Sequence, residues 1–146
     1  MVTFQEKKNI PNEDDVYCYI HRDNTKAGKP RAAAFQNTPR DGDNLSCDWS
    51  QFTTAEETKA RIGKQFRTKT TEFKNPDLFG IAKFKVADLR LKIMQKVEHD
   101  PIFSDSEILG QPNNYAHAII IGEKDEETRL KMADELSGWV TLPTYP

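Results

Sequence analysis

The run AHAIIIG, Ala116–Gly122, is the most apolar stretch in the chain and the feature that most narrows its fold. Its apolar centre, Ala118 to Ile121, falls far short of the ~20 apolar residues that span a bilayer. A short apolar run closed by glycine reads as a central strand buried on both faces. The fold must therefore supply partners on either side of it.

Those partners are legible from alternation. Asp14–Arg22 (DDVYCYIHR) reads as a strand with Val16, Cys18 and Ile20 on one face and Tyr17, Tyr19 and His21 on the other. Ile81–Val86 alternates Ala82, Phe84 and Val86 inward with Lys83 and Lys85 outward. Leu45–Trp49 (LSCDW) is a further strand, and Ala32–Gln36 a short one. The loops NTKAGKPR and NTPRDGDN carry turn chemistry, with Gly28 suited to positive φ and Pro30 ending regular pairing. The strands that flank these loops are expected to pair antiparallel.

Two helices have explicit start signals. Thr54 followed by Glu57 is a capping box that opens a helix at Ala55, supported by Glu57 and Arg61 four residues apart. Asp125 caps a helix from Glu126 to about Ser137, with Leu130, Ala133 and Leu136 or Ser137 as its buried stripe and Gly138 as its stop. Between Val86 and Lys96 the pattern fits either a turn and strand or a helical piece, and Pro101 ends the element that follows. The layout is α+β: one domain over 1–146, an antiparallel or mixed sheet with two main helices packed on it. Residues 1–13 and 143–146 are expected as flexible ends. The expected core is Val16, Ile20, Leu45, Phe84, Val86, Ile119, Ile121, Leu130, Leu136 and Trp139.

At 146 residues such a domain buries about 68–70% of its unfolded surface. The opening MVTFQEKKNIPNEDD has no apolar signal core, so a cytoplasmic home and no membrane association are expected. Cys18 and Cys47, lacking CxxC spacing, are expected as buried reduced thiols.

Net charge is −2, but Lys59–Lys96 holds eleven Lys/Arg against Glu72, Asp77 and Asp88. That segment, at +8, could form one surface for an acidic protein or for single-stranded nucleic acid. Its Phe66 and Phe73 are the aromatics left over for stacking on bases. On this ground the first expectation for function is a non-enzymatic binding or accessory module that engages an acidic partner.

The alternative is a small enzyme. LSCDW runs straight into a capped helix, a corner where side chains are exposed on a rigid backbone. A site there would gather His21, Arg22, Ser46, Asp48, His99 and His117. Asp48 beside an imidazole would raise its pKa and fix its tautomer; the competing role is a local bond to the backbone near Gln51 and Phe52. Three imidazoles, with Asp48 or Asp100 orienting one, could hold zinc. The chain has no HxH, HExxH or HxxxH pair, however, and no phosphate loop or dinucleotide fingerprint, so no metal and no cofactor are expected.

Taken together, LSCDW, the pattern T-x-E-E-T-x-x-R from Thr54, VEHDP and AHAIIIG resemble a family of small uncharacterised bacterial proteins. The resemblance runs from Tyr17 onward and implies no activity. His21-Arg22 on a first strand and Ser46 on a later one also resemble an ADP-ribosyltransferase arrangement, which implies a downstream glutamate; Glu98 is the candidate.

Overall fold

Strand β1, Asp15–His21, is the spine of the sheet, pairing on one side with β4 (Leu45–Trp49) and on the other with β5 (Phe79–Lys85). The computed structural model describes residues 7–38, 42–65, 67, 70–103 and 113–140. Between β1 and β4 lie two short strands, β2 (Thr25–Lys26) and β3 (Lys29–Pro30), which pair with each other. Gly28 takes positive φ in the turn between them, as its sequence context requires. After β5 come β6 (Lys96–His99), β7 (His117–Ile121) and β8 (Gly138–Val140). The main sheet has the order β6-β7-β4-β1-β5-β8, and each of its pairings is antiparallel. With helices packed on it, the fold is α+β in a single domain.

The helices α1 (Ala55–Ile62), α2 (Val86–Leu91) and α3 (Glu126–Asp134) divide between the two faces. One face carries Val16, Cys18, Ile20, Cys47, Trp49, Ala82, Phe84, Ala118 and Ile120 into the main core, closed by Val86 and Leu89 of α2 and Met132 of α3. The other face is covered by α1, whose Ile62 packs with Phe79 and Ile81 against Tyr17 and Tyr19. The capping box forms as read: Thr54 Oγ1 accepts from the Glu57 N–H at 3.1 Å, and Asp125 Oδ1 likewise caps α3 through Thr128.

Several expectations are corrected. Ala32–Phe35 is a 3-10 turn, not a strand: three alanines offer no β-branched side chains to hold a pleat, and the turn buries Phe35 edge-on to Phe84. Strand β7 is fully buried on one face only. Ala118 and Ile120 are inside, whereas Ile119 and Ile121, expected as anchors, are half-buried on the opposite face. Helix α3 ends at Asp134 and turns Met132 inward, leaving Leu130 51% exposed. Leu136 and Trp139 are partly buried against the core. Residues 7–13, expected within a flexible end, pack on the domain: Ile10 is buried, and Arg90 donates to its carbonyl at 2.7 Å. Residues 143–146 lie outside the described residues.

Gly80 of β5 makes room for the tryptophan of β8. A Cβ there would collide with the Trp139 ring, which reaches across to donate from Nε1 to the Gly28 carbonyl at 2.8 Å. Cys18 and Cys47 are free and buried side by side, and burial, with Cys18 adding to it, pushes the Cys47 thiol pKa well up.

Candidate functional site

Residues at i and i+2 of a strand share a face, so Ser46 and Asp48 emerge together from β4, opposite the core side taken by Leu45, Cys47 and Trp49. Antiparallel register then sets their neighbours on β7: Ser46 lies opposite Ile119, and Asp48 opposite His117. His117 is thus the diagonal neighbour of Ser46 on the same face, within side-chain reach. Ser46 Oγ lies 2.7 Å from His117 Nε2.

The other ring nitrogen is fixed by Asp100, just past β6. His117 Nδ1 stands 2.7 Å from the Asp100 carbonyl and 3.5 Å from its carboxylate Oδ2. A carbonyl only accepts, so Nδ1 carries the proton and Nε2 of the neutral ring faces the Ser46 hydroxyl as an acceptor. The Asp100 N–H in turn donates to the His117 carbonyl at 2.9 Å, so the two residues hold each other through backbone and side chain. Burial works against protonation of His117. Hydrogen bonds and charge from Asp100, with Asp48 contributing, outweigh it and place the pKa above the ordinary histidine value. The Asp100 carboxyl is correspondingly held low, chiefly by its bond to His117.

Asp48 does not bond the backbone near Gln51 and Phe52. Its Oδ2 accepts from Thr58 Oγ1 at 2.9 Å and from Arg61 Nη1 at 2.6 Å, and its Oδ1 accepts from Asn114 Nδ2 at 2.7 Å. Thr58 and Arg61 are three apart on α1 and so share a face. Arg61 also donates to Thr53 Oγ1 at 3.2 Å. Asp48 therefore ties helix α1 to β4 and to the turn that opens β7, and it supports the floor on which His117 sits.

His99 is close in sequence to Asp100 but points to the core side of the sheet. It accepts at Nδ1 from the Lys8 N–H (3.0 Å) and donates from Nε2 to the Tyr115 carbonyl (2.6 Å), among the rings of Trp49, Phe52 and Tyr115. Desolvation lowers its pKa. His21 lies at the far end of β1, four residues beyond the Tyr17 that pairs with Asp48, or roughly 13 Å along the strand. There it accepts at Nδ1 from the Asp23 N–H and packs edge-on with Phe79. Arg22 lies in the exposed 3-10 turn that follows. The structure thus joins Ser46, Asp48 and His117 and keeps His21, Arg22 and His99 apart from them. Glu98 is exposed on edge strand β6, opposite Ile119. Among the described residues, no group of three or more His, Cys, Asp or Glu side chains could hold a metal ion.

The cations of Lys59–Lys96 do not all share one face, because those of α1 are separated by the sheet from Arg90 and Lys92 at α2. Helices α1 and α2 lie on opposite faces of the sheet. Arg61 is spent on Asp48, Arg90 on the Ile10 and Val97 carbonyls, and Lys92 on Asp88 and Glu135. Adjacency along the chain became opposition across the sheet. Phe66 and Lys69 lie outside the described residues.

Thr58, Arg61 and Asn114 are site members that sequence reasoning missed, and Asp100 entered it only as an orienter of a metal-bound imidazole. Thr58 and Arg61 sit inside the string T-x-E-E-T-x-x-R and Asp100 inside VEHDP, so those strings and LSCDW and AHAIIIG all deliver residues to one place. No protein-family model, curated protein or solved structure matches the chain. No described helix is long and apolar enough to cross a membrane.

Proposed function

We propose that this protein is a small enzyme of acyl transfer or ester hydrolysis, with Ser46 as nucleophile, His117 as general base and Asp100 as the residue that positions the base. One observation carries the reading: Ser46 Oγ is 2.7 Å from a histidine nitrogen whose partner nitrogen is held at 2.7 Å by the Asp100 carbonyl. Nucleophile, base and orienting group in that order form the arrangement that activates a weak hydroxyl.

In the first half-reaction the Ser46 Oγ–carbon bond forms at a substrate carbonyl while the hydroxyl proton passes to His117 Nε2. The bond to the leaving group then breaks, and Nε2 returns that proton to it. Water repeats the sequence and frees Ser46. Ile119 and Ile121 continue the Ser46 face of the sheet and are half-buried, which suits an apolar acyl group. Ser46 and His117 stand on paired strands of the main sheet, the kind of support such a site requires.

The test is covalent labelling by a fluorophosphonate, read by intact mass. One adduct on the wild type, mapped to Ser46 and absent from Ser46→Ala and His117→Asn, supports the reading. Absence of labelling, or labelling that survives Ser46→Ala, overturns it.

A further inference from the structure

A cleft of about 420 Å³ opens where the end of β1 meets the chain leading into β5, with His21, Arg67, Phe73, Lys74, Asn75 and Phe79 among its walls. Its size is in the range of small-ligand sites. Neither Ser46 nor His117 lines it, so the cleft is separate from the proposed acyl-transfer site.

The walls combine rings and cations. Phe79 is buried, and His21 and Tyr19 pack edge-on against it with centroids at 5.1 and 5.6 Å. Lys74 Nζ stands over this floor, 5.1 Å from the Tyr19 centroid and 6.0 Å from that of Phe79, and donates to Gln65 Oε1 at 3.0 Å. Phe73 is 54% exposed at the same cleft. Because His21 Nδ1 accepts from the Asp23 N–H, Nε2 of the neutral ring carries the proton and is a donor. Arg67 meets Glu72 at 3.2 Å, but both side chains are largely in water (64% and 72% exposed). Pairs of that kind are weak and yield readily to a better anion.

We propose that this cleft binds one nucleotide unit, its base stacked on Phe73 and its phosphate held by Lys74 and Arg67. The wall offers an exposed ring beside two cations, so a ligand that is both aromatic and anionic matches more of it than either kind alone. A nucleoside phosphate uses both, through stacking and charge-assisted hydrogen bonds. The same unit could arrive free or as part of a single strand.

The experiment is isothermal titration of the full chain with AMP, adenosine and inorganic phosphate, and with a five-nucleotide single strand. AMP should bind more tightly than either adenosine or phosphate, with affinity falling as salt rises. Phe73→Ala should weaken AMP by at least about fivefold, the lower end of what one stacked base contributes, and Lys74→Gln should weaken AMP and reduce the salt dependence of its binding. Phe73 is exposed and Lys74 only partly buried, and unchanged thermal melting of each variant will show that the fold is retained. Tighter binding of the oligonucleotide identifies the strand as the source, and equal or weaker binding identifies the free nucleotide; each supports the site. Phosphate binding as well as AMP, adenosine binding as well as AMP, or affinity indifferent to both substitutions overturns it.

Discussion

The carboxylate of Asp48 and the guanidinium of Arg61 meet at 2.6 Å beneath helix α1, with side chains only 9% and 17% exposed. Asp48 also holds Thr58 and Asn114, so one carboxylate satisfies three donors from two separate elements. Removing one partner of a buried ion pair strands the other. Asp48→Ala should therefore cost about 3–5 kcal/mol, read from the urea midpoint. Thr58→Val, which deletes one hydroxyl donor of similar shape, should cost about 1 kcal/mol. A midpoint unmoved by Asp48→Ala would show that the network carries no stability.

His99 and His117 should titrate in opposite directions from the ordinary histidine pKa of about 6.5. Burial lowers His99, and Asp100 raises His117 against burial. Asp100→Asn keeps the backbone carbonyl that fixes the His117 tautomer but deletes the charge, so the His117 pKa should fall and His99 should move less. Histidine ring resonances followed by NMR across pH check both shifts. A His117 pKa unchanged in Asp100→Asn would show that the Asp100 carboxylate does not act on the ring, leaving its backbone carbonyl as the orienting group.

Alternation makes the faces of β1, β4 and β5 readable from the sequence alone, and the capping box fixes the start of α1. The site is half-readable for the same reason: Ser46 and Asp48 share a face by the pleat alone. Register is hidden. Only the pairing of β4 with β7 puts His117 diagonal to Ser46, and that pairing joins segments 71 residues apart. Arg61 shows itself as the i+4 partner of Glu57 within α1, yet it pairs with Asp48 on the sheet below. A charge count along the chain likewise cannot see that a sheet will stand between the cations of α1 and those at α2.

The two halves of the AHAIIIG pattern should differ in weight. Ile120 is fully buried in the main core, whereas Ile119 is half-buried on the Ser46 face. Ile120→Ala should cost about 2–5 kcal/mol by loss of burial and creation of a cavity. Ile119→Ala should cost distinctly less and should leave the melting transition cooperative. Denaturant titration of both variants checks this, and equal costs would show that β7 is covered on both faces.

The Asp100–His117 pair also gives stability a defined pH window. The folded pKa of His117 is raised, so its contribution is fully present below about 6.5, the unfolded value, and is lost as pH rises through the folded value. The folded pKa of Asp100 is depressed, so its contribution is present above about 3.9 and is lost as pH falls through its folded value. The pair is complete only between those limits. His99 opposes it: burial disfavours its protonated form, so the fold weakens as pH drops below about 6.5 through that residue. Asp100 is 39% exposed, and solvent screening makes its share modest. Wild type and Asp100→Asn should therefore differ most in unfolding free energy between about pH 4 and 6.5, and the gap should narrow above the folded pKa of His117, where only the exposed Lys7 still answers the Asp100 charge. In His117→Asn that difference should shrink throughout the window, because the charge that Asp100 answers is gone. Urea unfolding of the three proteins at one-unit pH steps measures it. A gap between wild type and Asp100→Asn that stays constant from pH 5 to 9 would mean the carboxylate does not act through His117.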